Sequence, residues 1–239
     1  MRVSRQLTFD FFVNSHYDFD SYFAVNQNIE VVTTLKSWAA REGTGIVYLW
    51  GDSSVGKTHL LQASLNSLVG RSIYIPIKEM ADKIEPSSFE GLENVGVLAL
   101  DDVEFLAGKK PYEEALFKLF NSVLSKKARL LLSGRKHPSR QGFIIEDLVS
   151  RLGSHLVYQV RQLSDSEKVE ALTLLAQRRG INVEKHVWDF ILSRSKRDMS
   201  SLVYLLEQLD EFSLTRMRRV TIPIVKEFFR TNSAIFPKD

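Results

Sequence analysis

Residues 51–58 read GDSSVGKT and satisfy the pattern G-x-x-x-x-G-K-[ST], with Gly51, Gly56, Lys57 and Thr58 at the fixed positions. Glycines at both ends of such a turn let the backbone curl tightly. The N–H groups running from Asp52, Ser53, Ser54 and Val55 into His59 can then wrap one phosphate chain. Lys57 would neutralise the outer phosphates, and Thr58 would offer its hydroxyl to Mg2+. Further on, the run VGVLALDD ends in Asp101 and Asp102. Asp101 is expected to hold the metal, directly or through water. Asp102 could orient or deprotonate a water, or the two acids could merely cap the next helix.

These groups need a strand before the glycine turn, a helix after it and a second strand to carry the aspartates. The sequence supplies them. GIVYLWG (45–51) is a β-branched and aromatic run ending in glycine, and KTHLLQASLNSLV (57–69) repeats apolar residues at helical spacing. RSIYIPI (71–77) predicts a second strand, and VGVLALDD (95–102) a third, whose nearly continuous apolar character implies burial on both faces. PYEEALFKLFNSVLSKK (111–127) opens on proline, carries acids early and lysines late, and aligns Ala115, Leu116, Leu119, Phe120 and Val123 on one stripe. ARLLLSG (128–134), IIEDLVSRLG (144–153) and HLVYQVRQL (155–163) read as strand, helix and strand. Five parallel strands alternating with helices predict a doubly wound α/β domain, with ligand groups at the carboxyl ends of the strands.

From Ser164 onward only helical periods occur, in segments 164–180, 183–197, 198–219 and 221–230. Ser164 and Glu167 have capping-box spacing, Gly180 ends the first helix, and Thr221 with Pro223 opens the last. The expected organisation is a flexible tail (1–14), an α/β nucleotide-binding domain (15–163) and a small all-helical domain (164–239).

Composition narrows the chemistry. The 239 residues contain no cysteine, which removes disulfides, thiol nucleophiles and Cys-based metal sites. The five histidines (16, 59, 137, 155 and 186) are scattered and lack metal-pair spacing. No apolar run reaches the roughly 18–20 residues of a membrane span, and the N-terminus lacks a signal-peptide h-region, so a cytoplasmic protein without membrane contact is expected. A net charge of +3, built from both signs, permits weak DNA contact without demanding it. Basic TRMRR (215–219) reads as a solvated face or interface rim, with partner or DNA docking as the sharper alternative.

On these motifs the chain resembles the AAA+ P-loop ATPases, and within them the initiator clade. GDSSVGKTHLLQA and LALDDVEFLAG are similar to the Walker A and Walker B segments of the bacterial replication initiator DnaA. LLLSGRKHP is similar to its sensor 1 strand, EDLVSRLGSHLVYQV to its arginine-bearing box VII, and FDSYFAVNQN to the segment leading into the base pocket. A DnaA protein would continue into a helix-turn-helix domain, which the sequence does not contain. The tail QLTFDF and the closing TIPIVKEFF resemble instead the Hda family of DnaA-related regulators.

The resemblance implies further roles. Gln6, Leu7, Phe9 and Phe11 would form a peptide that binds the DNA polymerase III β sliding clamp, with Phe9 and Asp10 departing from the commoner leucine and proline. A segment packing back on its own domain is the alternative. Arg151 would be an arginine finger reaching the γ-phosphate held by a neighbouring subunit, unless it is a plain solvated arginine. Ser133 retains sensor 1 polarity, with Arg135 in place of the initiator's acid. The sensor 2 arginine is missing, its position falling at Ser200, and Arg197 could substitute if a helical turn brought it to a nearby face. This combination implies a protein that retains ADP (or ATP) with Mg2+, the nucleotide clipping the two domains together. With the clamp it would stimulate ATP hydrolysis by DnaA, with weak or no hydrolysis of its own. The competing readings are a helicase-loader ATPase acting on the replicative helicase and single-stranded DNA, and a scaffold without catalytic influence. A homo-oligomer is left open.

Overall fold

In the first strand Ile46, Val47, Tyr48 and Leu49 are all buried. An apolar run without an alternating polar face needs cover on both sides, as in a parallel sheet. The computed structural model describes residues 17–40, 45–68 and 70–232, so Gln6, Leu7, Phe9 and Phe11 lie outside the described residues. It shows β1 (Gly45–Trp50), β2 (Ser72–Pro76), β3 (Val97–Asp101), β4 (Arg129–Gly134) and β5 (Leu156–Gln159) in one parallel sheet of order β2-β3-β4-β1-β5. Among the described residues four α-helices accompany it: α1 (Gln27–Ala40), α2 (Lys57–Asn66), α3 (Lys110–Ser125) and α4 (Glu146–Gly153).

Strand alternation sorts the core into two layers. Ile46, Tyr48, Leu98, Leu100, Leu130 and Leu132 face one way, packing with Leu116 and Phe120 of α3 and Leu148 and Leu152 of α4. Val47, Leu49, Val97, Ala99 and Leu131 face the other, against Val31, Leu35 and Trp38 of α1 and Leu60, Leu61 and Leu65 of α2. At roughly 25 cal/mol per Å2 of apolar surface removed from water, these two layers are the main source of stability for the sheet.

The elements differ from the sequence expectation in three places. Helix α1 was not anticipated. β5 covers four residues instead of the nine expected. The ladder runs only as far as β1, with Gln159 opposite Trp50, and beyond it Asn28 of α1 holds the chain: the Arg161 N–H donates to Asn28 Oδ1 (2.9 Å), and Asn28 Nδ2 donates to the Arg161 carbonyl (2.9 Å). β3 stops at Asp101, and Asp102 stands beyond it in the left-handed region at φ 58°.

The chain divides into two compact units, Met1–Arg161 and Gln162–Asp239. The second contains α5 (Asp165–Arg178), α6 (Lys185–Leu192), α7 (Met199–Thr215) and α8 (Ile222–Thr231). A capping box joins Ser164 and Glu167 at the start of α5, and Thr221 is the N-cap of α8 with proline in its first turn. Leu172, Trp188, Leu205, Leu209, Val225 and Phe228 form its core. At the end of α7, Arg216 is paired with Glu227 (2.7 Å) and stacks over Phe212, while Met217 is 95% exposed. Among the described residues, no helix is long and apolar enough to cross a membrane.

Candidate functional site: a phosphate-binding loop beside an acidic strand end

The sheet order brings three strand ends level. β4 lies between β1 and β3, with Leu49 opposite Ser133 on one side and Leu100 opposite Leu132 on the other. The loop after β1 therefore emerges beside Ser133 and Asp101. Its glycines are sterically required. At Gly51 an added Cβ would collide with the Val160 carbonyl oxygen. At Gly56 (φ 96°) it would come within 2.6 Å of the Tyr22 ring. Ser54 also adopts positive φ (59°), so the backbone reverses handedness through the loop, the condition for a concave nest of N–H groups. The loop runs directly into α2, whose first-turn N–H groups have no intrahelical acceptor and carry the positive end of the helix dipole.

Lys57 is buried, 6% exposed, with Nζ donating to the carbonyls of Gly51 (2.8 Å) and Asp52 (2.8 Å). Burial pushes its ammonium below the usual lysine range, opposed by the negative charges of Asp102, Glu104, Asp101 and Asp52. Asp101, 2% exposed, is held by three hydroxyls. Thr58 (2.6 Å) and Tyr74 (2.7 Å) donate to Oδ2, and Ser133 donates to Oδ1. Ser133 Oγ in turn accepts the Asp102 N–H (2.9 Å), which ties the end of β4 to the turn after β3. Burial first, and then Asp101, raises the Asp102 carboxyl above its ordinary range.

This donor set fits a nucleotide phosphate chain with Mg2+. Among the described residues no three His, Asp or Glu side chains converge as a metal cage. Mg2+ does not need one, since it keeps waters and takes one or two protein oxygens together with phosphates. Thr58 and Asp101 are positioned to supply those oxygens. These two residues would hold such an ion, the Thr58 hydroxyl keeping its own proton, which it donates in a hydrogen bond to Asp101.

Two family matches divide the chain. The bacterial DnaA ATPase domain matches residues 5–159, and the Hda lid domain matches residues 165–229. This is a DnaA-related AAA+ protein of the Hda family. Among solved structures, domain III of Thermotoga maritima DnaA superposes with TM-score 0.74 at 20% identity, covering 92% of this chain and 97% of that one. AMPPCP-bound DnaA from Aquifex aeolicus gives TM-score 0.68 at 23% identity, over 82% of this chain and 66% of that one. A Thermotoga maritima RuvB mutant also reaches 0.68, at 17% identity over 90% and 72% of the two chains. At such identities the likeness is one of fold. The Hda-family chain spans about two thirds of the length of the Aquifex DnaA.

Other expected site residues of this Hda-family protein are placed as follows. The His59 ring packs at a tilt against Tyr17 (4.8 Å between centroids) and meets Tyr22 edge-on (5.4 Å), with Nε2 beside the Asp18 carbonyl (2.8 Å). Its side chain thus engages the segment before α1, leaving its backbone N–H in the helix's first turn. Ser53 and Ser54 are exposed, and Val55 packs into the core. Arg151 is exposed in the last turn of α4, between the buried Leu148 and Leu152. Arg197 precedes the α7 N-cap Asp198, so the helical-face argument for it does not apply. Its guanidinium pairs with Asp165 (3.0 Å).

The sequence reading missed three contributors. Tyr74 is the third hydroxyl on Asp101. Tyr22 packs against Gly56 and donates to the Val55 carbonyl (3.4 Å). Glu104 buries Oε2 without a hydrogen-bond partner among the described residues, and burial raises its carboxyl. A tyrosine near the end of β2, one strand over from the aspartates, was the available signal for Tyr74.

Proposed function

We propose that this Hda-family protein regulates replication initiation by stimulating ATP hydrolysis on DnaA. In this reading it retains ADP with Mg2+ at residues 51–59, Thr58 and Asp101. It docks the sliding clamp through Gln6, Leu7, Phe9 and Phe11, and offers Arg151 in trans to ATP held by DnaA. The nucleotide, when bound, supplies phosphates whose charge Lys57 and the α2 N-terminus neutralise. Asp102 is a candidate to position water, and Ser133 holds the turn that carries it.

The observation that carries the reading is the state of Arg151. It is exposed, and its guanidinium has no acceptor among the described residues, although Asp147 stands one turn earlier on the same helix. A solvated guanidinium beside a nucleotide-binding fold is suited to stabilising charge on a transferring phosphoryl group in a partner. Where such a finger is fully effective it contributes roughly 10³–10⁵ in rate.

The test is DnaA-bound ATP hydrolysis with clamp-loaded wild type, Arg151→Ala and Arg151→Lys. Alanine is expected to remove most of the stimulation at saturating protein while clamp binding, ADP binding and folding stay intact. Lysine is expected to rescue poorly, because a compact ammonium lacks the planar multi-donor fork. Full stimulation by the alanine variant would reject the finger and leave reshaping of the initiator as the mode of action.

A further inference from the structure

Helix α4 starts without a local cap. Its N-cap residue is Ile145, whose side chain has no acceptor to offer the first-turn amides. The partner for this end comes from α3. Glu113, fully buried, accepts the N–H of Ile144 (2.8 Å) and of Ile145 (2.9 Å) on Oε2. Its other oxygen, Oε1, accepts the N–H of Gly108 (2.7 Å), where φ is 78°.

One carboxylate therefore gathers backbone from two segments far apart in sequence. One is the turn that follows Asp101 and Asp102, and the other is the start of the helix bearing Arg151. All three bonds are charge-assisted, and both oxygens are used. Apolar packing of Leu148 and Leu152 in the shared core resists lifting of α4 from the sheet. Nondirectional packing leaves sliding and rotation of a short helix comparatively free, whereas hydrogen bonds fix its start in register with the strand end. The core needs no charge at position 113, and the two backbone segments it joins flank the site chemistry.

We propose that Glu113 is a positioning residue for Arg151, holding the start of α4 at a fixed distance from the Asp101–Asp102 turn so that the guanidinium is presented in one geometry to a phosphoryl group on a partner subunit. This rests on the trans-finger reading of Arg151.

The experiment uses the full nucleotide-bound chain with Glu113→Gln and Glu113→Ala, alone and combined with Arg151→Ala. Two quantities are read: amide exchange at Gly108, Ile144 and Ile145, and the maximal rate and half-saturating concentration for stimulating hydrolysis on DnaA. Glutamine keeps the volume but turns one acceptor into a donor facing an N–H, so it is the informative variant if alanine fails to fold. Glu113→Gln is expected to speed exchange at these amides by about tenfold or more, the scale set by losing a hydrogen bond to a charged group. It should lower the maximal rate several-fold while changing the half-saturating concentration little, and cause no further loss on the Arg151→Ala background. An unchanged maximal rate, or the same fractional loss with and without Arg151, overturns the positioning role. Full stimulation by Arg151→Ala alone overturns the finger itself, and the positioning role with it. That outcome is distinct, because it is read in a chain whose Glu113 is intact.

Discussion

The Thr58 hydroxyl donates to Oδ2 of Asp101 at 2.6 Å, joining the first turn of α2 to the end of β3. This bond sets the proton on the side of Thr58 that faces the carboxylate and leaves the lone pairs of its oxygen for a cation. Asp101→Asn puts an NH2 group against Ser133 on one side or against Thr58 and Tyr74 on the other. A donor would face a donor in a buried site, at a cost of about 1–3 kcal/mol. Chemical denaturation should show that loss, and Mg2+ should no longer strengthen nucleotide binding. Unchanged stability would mean that the three hydroxyls find other acceptors.

Lys57→Ala tests retention of nucleotide. A ligand bound only to the native state at a hundred times its Kd stabilises it by about 2.7 kcal/mol. Wild type should therefore melt higher with added ADP, whereas the variant should lose resident nucleotide and respond little. Equal melting of nucleotide-free wild type with and without ADP would reject the proposed ligand.

Gln6→Ala combined with Leu7→Ala is expected to abolish equilibrium binding to the β sliding clamp, with melting temperature and ADP affinity unchanged. In the proposed docking Gln6 fills a polar notch and Leu7 an apolar groove on the clamp, so two truncations are expected to suffice. Unaltered clamp affinity would reject the assignment of residues 6–11.

His155 reports on the charge at Arg151. Burial first, and then the Arg151 guanidinium, lowers its imidazole below the ordinary 6.5. In an NMR titration Arg151→Ala should raise the His155 pKa part of the way back, and Arg151→Lys should raise it less. Because the folded pKa is depressed, the unfolded chain binds the proton first as pH falls. The stability contributed by the neutral ring is complete above 6.5 and declines as pH drops from there through the folded value. A His155 pKa insensitive to residue 151 would place the guanidinium elsewhere.

Residues whose role is local were readable in the sequence. Gly51, Gly56, Lys57 and Thr58 stand together in one motif of fixed spacing, and Ser164 caps the helix it begins. The nearly continuous apolar run of β3 foretold a sheet covered on both faces. Tyr74 and Glu113 were not readable, because each acts across the fold. Tyr74 reaches Asp101 only through the pairing of β2 with β3. Glu113, in the first turn of α3 behind a proline, looks like ordinary compensation of the helix dipole. Helix α1 was passed over because Val31, Val32, Thr33 and Thr34 form a β-branched run that weakens helix propensity, although Val31, Leu35 and Trp38 keep helical spacing. The short β5 could not be foreseen, since its length is set by where its partner β1 ends, at Trp50 opposite Gln159.

The strand order also constrains how the protein comes into being. Among the described residues β1 pairs with β4 and β5 alone, so Gly45 waits for Arg129 and Val47 for Leu156 before either gains a strand neighbour. While the chain is still emerging from the ribosome, β2 and β3 can already zip together, but the strand that leads into residues 51–58 has only α1 and α2 to pack against and no strand partner. Completion of the loop 51–58 is therefore expected late in biosynthesis, with the apolar run 46–49 left without strand partners until β4 and β5 are made.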